Sequence, residues 1–148
     1  MWTNETSRET MASPQAVFGL FEDVARWPEW NAGVERIDLD GPFVAGTSGI
    51  MTMPGGDRLS LRLVWVAEDQ GFEDETPIPD AGVTVRVRHT LKPLPGGGTR
   101  ITYAATVDGP GAEAAGPEIG PAVTADFPEV LASLVALAEE AQTPKRTR

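Results

Sequence analysis

Apolar residues along this chain change their spacing twice, and the changes mark out its elements. Near the start, "TNETSRETMA" sets Thr and Met against charged residues and reads as a thin first strand. From Ser13 the period is helical. Ser13 suits an N-cap, Pro14 suits the first helical position, and Val17, Phe18, Leu20 and Phe21 follow at helical spacing. Pro28 ends any continuation of that helix and fits the first turn of a second, very short one in "RWPEW". There Trp27 and Trp30 stand three residues apart and share a face, although their neighbours are Arg, Glu and Asn.

Beyond Val34 the period becomes two. "VERIDLD" sets Val34, Ile37 and Leu39 against charges, and "GPFVAGT" supplies turn residues. "SGIMTMP" and "DRLSLRLVWVAED", joined through "PGG", predict a hairpin in which Leu59, Leu61, Leu63 and Trp65 share an apolar face, with Met51 and Met53 inward on the first strand. "GFEDET" is a further strand, closed by the loop "PIPDAG". "VTVRVRHTL" alternates without a fault: Val83, Val85, Val87, His89 and Leu91 face one side, and Thr84, Arg86, Arg88 and Thr90 the other. After the loop "KPLPGGGT", "RITYAATV" places Ile101, Tyr103, Ala105 and Val107 together. The product is an antiparallel meander with one apolar face, which needs a cover.

The cover comes last. "DGPGAEAAGPEIGPAV" reads as a Gly-, Pro- and Ala-rich lead-in, and "TADFPEVLASLVALAEEAQ" as a long helix, with a kink expected at Pro128. Phe127, Val130, Leu131, Leu134, Leu137 and Ala138 form its apolar stripe. Strand, two short helices, antiparallel strands and one long C-terminal helix make an α+β helix-grip architecture.

Composition narrows what such a domain does. With 148 residues, 41% apolar and 23% charged, the chain is expected to be one globular domain over 1–141, followed by a basic, disordered tail over 142–148. The net charge of -10 repels phosphate, which argues against nucleic acid and against anionic membrane surfaces as partners. The absence of cysteine excludes disulfides and thiolate chemistry. Neither a signal-type apolar region nor an apolar run of bilayer length is evident, so a cytoplasmic chain without membrane insertion, monomeric or homodimeric, is expected.

The stretch "SPQAVFGLFEDVARWPEWNAGVERIDLDGPF" resembles the N-terminal signature of the START-like SRPBCC superfamily, in its polyketide cyclase/dehydrase-like branch. "FEDETPIP", "VRVRHTL" and "GGGTRITYAATVDGP" resemble that group's later strands in the same order. The resemblance implies the fold of the birch-pollen allergen: a curved seven-stranded sheet gripping the C-terminal helix, with a cavity opening near the short helices. It also implies a hydrophobic or amphipathic ligand, and no cofactor is expected. Trp27 and Trp30 would then either cap the end of the core or line the cavity with Met51, Met53, Leu61, Leu63, Trp65, Phe72, Val85, Val87, Phe127 and Leu131.

His89, the sole histidine, leaves no paired-His metal site, and the carboxylates show no metal-ligand spacing, so no metal is expected. On the apolar face, a neutral His89 is either a general base for enolising a ketone or a core histidine bonded to a neighbour. Tyr103, on the next strand, falls within a register step of His89 and could polarise a carbonyl, or be an ordinary rim group. Asp74, the third candidate, is expected nearer Val85 than His89. Arg86 and Arg88 belong with Glu73 and Glu75 in a solvated charge ladder. Three functions follow: a polyketide cyclase or dehydratase using His89, Tyr103 and Asp74, a carrier or sensor of a lipid-like molecule, or an interaction domain whose core is filled by Trp30, Trp65, Met51 and Met53.

Overall fold

Alternation in the middle of the chain becomes a seven-stranded antiparallel sheet of order β1-β7-β6-β5-β4-β3-β2 in the computed structural model, which describes residues 1–142. The strands are β1 (Trp2–Thr10), β2 (Arg36–Leu39), β3 (Ser48–Thr52), β4 (Arg58–Ala67), β5 (Gly71–Ile78), β6 (Val83–Pro93) and β7 (Thr99–Asp108). Between β1 and β2 lie helix α1 (Pro14–Glu22), a 3-10 turn and the one-turn helix α2 (Trp27–Trp30). Helices α3 (Ala112–Thr124) and α4 (Phe127–Gln142) end the fold, which is helix-grip α+β. Gln142 therefore belongs to α4, and the rest of the expected tail, 143–148, lies outside the described residues.

Local chemistry accounts for the first helices. Ser13 Oγ accepts from the backbone N–H of Ala16 at 3.1 Å, satisfying a donor that the helix start would leave free, with Pro14 directly behind it. The turn of α2 closes through Asn31 N–H to the carbonyl of Trp27 at 2.9 Å. Both tryptophans are buried, and the indole N–H of Trp27 donates to the carbonyl of Phe21 at 2.8 Å, pinning α2 to the end of α1.

One strand departs from simple alternation. In β4, Leu63 pairs with Asp74 but Trp65 pairs with Glu73, so Val64 is the extra residue of a β-bulge. The bulge reverses side-chain parity: Val66 takes the inward place opposite Phe72, and Trp65 turns to the outer face under the guanidinium of Arg88, 4.2 Å from its ring centroid. The expected inward Trp65 is thereby corrected. On that outer face Arg88 pairs with Glu73 at 2.8 Å and Arg86 with Glu75 at 3.2 Å, as the alternation requires. The loop expected at "PIPDAG" is shorter, since β5 continues to Ile78 and only Pro79–Ala81 form a turn.

The Gly- and Pro-rich lead-in is itself a helix. Ala112, Gly116, Gly120 and Thr124 recur every four residues and form its buried face, while Pro117 and Pro121 stand on the exposed side, where freed carbonyls can meet water. Small residues there let α3 approach Trp2 of β1: a Cβ at Gly116 would stand 2.8 Å from the Cβ of Trp2, and one at Gly120 would enter the indole. The helical path breaks at Ala125–Asp126 rather than at Pro128, which occupies the first turn of α4. Taken together, Ala112–Glu140 form a 29-residue stretch long and apolar enough to cross a membrane by length and composition, contrary to expectation. Here α3 packs on β1 and β7, and α4 packs on β1, α1 and α2.

Gly71 opens β5 at φ +139°, and a Cβ there would fall on the carbonyl oxygen of His89. Gly71→Ala is expected to lower stability by about 2–4 kcal/mol, combining a disfavoured φ with overpacking against backbone. Chemical denaturation of the two proteins measures this directly.

Candidate functional site

Between the sheet and the α3–α4 junction the structure leaves a concavity of about 460 Å³. Trp27 and Trp30 close one end, β5, β6 and β7 form the floor, and Ile119, Val123, Asp126 and Phe127 come from the helices. Of the residues expected in such a wall, Trp27, Trp30, Met51, Met53, Phe72, Val85, Val87 and Phe127 line it. Leu61, Leu63 and Leu131 do not: they are buried in the core beside it, and Trp65 faces away. Ile119, Ala122 and Val123 went unpredicted because their segment reads as a connector, although spacings of three and four are a helical signal, and Asp126 because its stretch reads as the start of the long helix.

The three polar candidates all line the concavity. His89 stands directly opposite Phe72 on β5 and Tyr103 on β7, so the expected near-neighbours are in fact paired residues. Its ring stacks on Phe72 at 4.0 Å and meets the edge of Tyr103 at 4.4 Å. Nδ1 lies 3.2 Å from the carbonyl oxygen of Phe72, which can only accept, so Nδ1 carries the proton and Nε2 the lone pair. Burial pushes the imidazole pKa down to about 3, against a smaller upward pull from the carbonyls of Phe72 and Val87. His89 is neutral at physiological pH and a weak base.

Asp74 pairs with Val87, which stands one inward step from both Val85 and His89, so Asp74 is not nearer Val85 as expected. Burial raises its pKa to about 7, its own backbone N–H pulls it down, and the charge of Glu73 adds a rise. Tyr103 is 2% exposed, and burial, followed by the charges of Asp74 and Asp126, raises its phenol well above the ordinary value. Asp126 is raised by burial as well, despite its own backbone N–H. Among the described residues neither aspartate has an ion-pair partner. Two buried donors, the Tyr103 hydroxyl and the Trp30 indole N–H, have no hydrogen-bond partner among the described residues, and both residues line the concavity.

A sheet folded against a C-terminal helical cover, with an apolar hollow between them, defines the helix-grip class. The profile described as polyketide cyclase / dehydrase and lipid transport matches residues 1–139, and the chain belongs to that family. No curated protein sequence matches. Among solved structures the fold is similar to protein MLL2253 of Mesorhizobium loti, with TM-score 0.75 and 17% identity over 95% of this chain and 99% of that one. It is also similar to norcoclaurine synthase of Thalictrum flavum in complex with dopamine and hydroxybenzaldehyde, with TM-score 0.75 and 14% identity over 96% of this chain and 88% of that one. Ara h 8.0201 gives TM-score 0.75 and 15% identity over 93% and 97%.

Because the folded chain holds the Asp74 proton between the ordinary value of 3.8 and about 7 while the unfolded chain has released it, Asp74 makes stability fall as pH rises through that window. Asp74→Asn is expected to be more stable than wild type at about pH 8, by roughly 1 kcal/mol or more, with the gap closing towards about pH 4. Urea denaturation of both proteins across that range is the measurement.

Proposed function

We propose that this chain binds a hydrophobic small molecule in the concavity, with a polar acceptor on the ligand meeting the Tyr103 hydroxyl and the Trp30 indole N–H. The observation that carries this is the pair of unpartnered donors in a largely apolar wall. A buried donor without an acceptor costs about 1–3 kcal/mol, a cost that a filled structural core has no reason to keep. The hollow has the size of ordinary small-molecule sites, and aromatic rings dominate the end closed by α2. Family membership supports the same reading, and norcoclaurine synthase, of the same fold, holds dopamine and hydroxybenzaldehyde.

A second, catalytic reading as a cyclase or dehydratase rests on Asp74. A carboxyl poised near neutrality in the same wall as a phenol donor is suited to remove a proton alpha to a carbonyl while the Tyr103 O–H supports the enolate oxygen. His89, with its pKa pushed down to about 3 and Nδ1 engaged by Phe72, is better suited to fixing the Phe72 and Tyr103 rings than to acting as the base. If no turnover accompanies binding, the carrier or sensor reading stands.

Native mass spectrometry of the protein from its own host, with indole fluorescence titration against fatty acids, flavonoids and aromatic polyketides, tests binding. A bound species that quenches the indoles is expected. Tyr103→Phe is expected to weaken it about tenfold while leaving the apo protein at least as stable, since it removes only an unsatisfied hydroxyl. No bound species and no quenching would leave an interaction domain as the better description.

A further inference from the structure

The walls of the concavity carry one sign of charge. Asp74 and Asp126 line it, and none of the described residues that line it is Lys or Arg. The nearby cations lie on the other face of the sheet: Arg88 is held by Glu73, and Arg62 and Arg86 flank Glu75. Among the described residues no cation neutralises either aspartate, and both charges act on the Tyr103 phenol, so both lie within electrostatic reach of one end of the hollow. The net charge of -10 adds a field of the same sign. A ligand carboxylate would bring a third anion into this low-dielectric space, whereas an ammonium would supply the missing counter-charge.

Resting on the reading that the hollow binds a hydrophobic molecule, we propose that its ligand is an amphipathic amine, with the ammonium recognised by Asp74 and Asp126 and a neutral oxygen taking the donors of Trp30 and Tyr103. Those two side chains, 3% and 2% exposed and unpartnered, are observations independent of the acidic pair. Together they ask for a cation and an acceptor on one apolar frame. Fatty acids, which carry the wrong charge, are selected against.

The pH behaviour follows from the groups around Asp74. His89 faces the hollow from β6, Tyr103 from β7 and Asp126 from the α3–α4 junction, while the partner on β4 is Leu63, Met51 comes from β3 and Met53 from just beyond it, and α2 contributes tryptophans. His89 stays neutral and Tyr103 protonated near neutrality, which leaves the two carboxyls to titrate. An incoming ammonium favours their ionised forms, so binding releases protons and tightens as pH rises through about 7.

Titration of the protein with phenylbutylamine, phenylbutanol and phenylbutanoate, which share one frame and differ in charge, tests the proposal by calorimetry at about pH 8. The amine is expected to bind at least about tenfold tighter than either analogue, and its advantage to shrink severalfold at about pH 6 while the alcohol's affinity stays level. Asp74→Asn should bring the amine down to the alcohol's affinity and leave the alcohol unchanged. Asp126→Asn is the second variant, expected to move in the same direction should the first fail to fold. If the alcohol or the carboxylate binds as tightly as the amine, the amine proposal is overturned and the hydrophobic-ligand reading survives. If none of the three binds, both fall.

Discussion

The interior of this protein depends on one level of its sheet, where Phe72, His89 and Tyr103 stand side by side on β5, β6 and β7. Backbone ladders fix which residues share that level, so none of the three rings can move without shifting its neighbours. The helices dock onto the row: Phe21 of α1 meets Phe72 edge-on at 5.0 Å, Trp27 of α2 lies 5.6 Å from it, and Phe127 of α4 meets Tyr103 at 5.4 Å. Covered on three sides by rings, the row determines how closely the helices approach the sheet. The concavity is the space that remains beside it, under the α3–α4 junction.

Polar groups on that surface are neutralised by their surroundings rather than paired. Burial drives Asp74 towards its protonated form and His89 towards its neutral form, so the pKa values of an acid and a base move towards neutrality of charge from opposite directions. Their effects on stability oppose each other. Asp74 favours the fold less as pH rises from 3.8 to about 7, while His89 favours it more as pH rises from about 3 to 6.5. A flat overall profile between those limits would therefore hide two sizeable costs. Such costs are characteristic of surfaces whose polar groups serve something other than stability.

Much of the frame is legible in the sequence because local chemistry and global packing agree there. The cap at Ser13, the strict alternation of β6 and the inward face of β7 each state one structural preference and meet it. Legibility fails where agreement fails. Trp65 has the spacing and size of a core residue, yet one inserted residue at Val64 turns it outward, where its ring accepts Arg88. Residues 112–124 contain Gly and Pro at frequencies that argue for a connector, yet they form a helix because small residues on one face allow close contact with Trp2. That contact joins positions more than a hundred residues apart, and no local propensity reports it.

For the candidate site the division is the same. The amino-acid sequence by itself determined the helix-grip order of elements, the burial of Trp27 and Trp30, and the shared inward face that carries His89 and Tyr103, since these follow from periodicity and strand parity. Tertiary structure decided the register that sets Asp74 against Val87, the arrival of Asp126 from the far end of the chain, and the absence, among the described residues, of hydrogen-bond partners for the Tyr103 hydroxyl and the Trp30 indole. The physical reason is that periodicity encodes which face a side chain takes. Whether a donor there finds an acceptor, or a carboxyl keeps its water, depends on what distant segments bring to the same place.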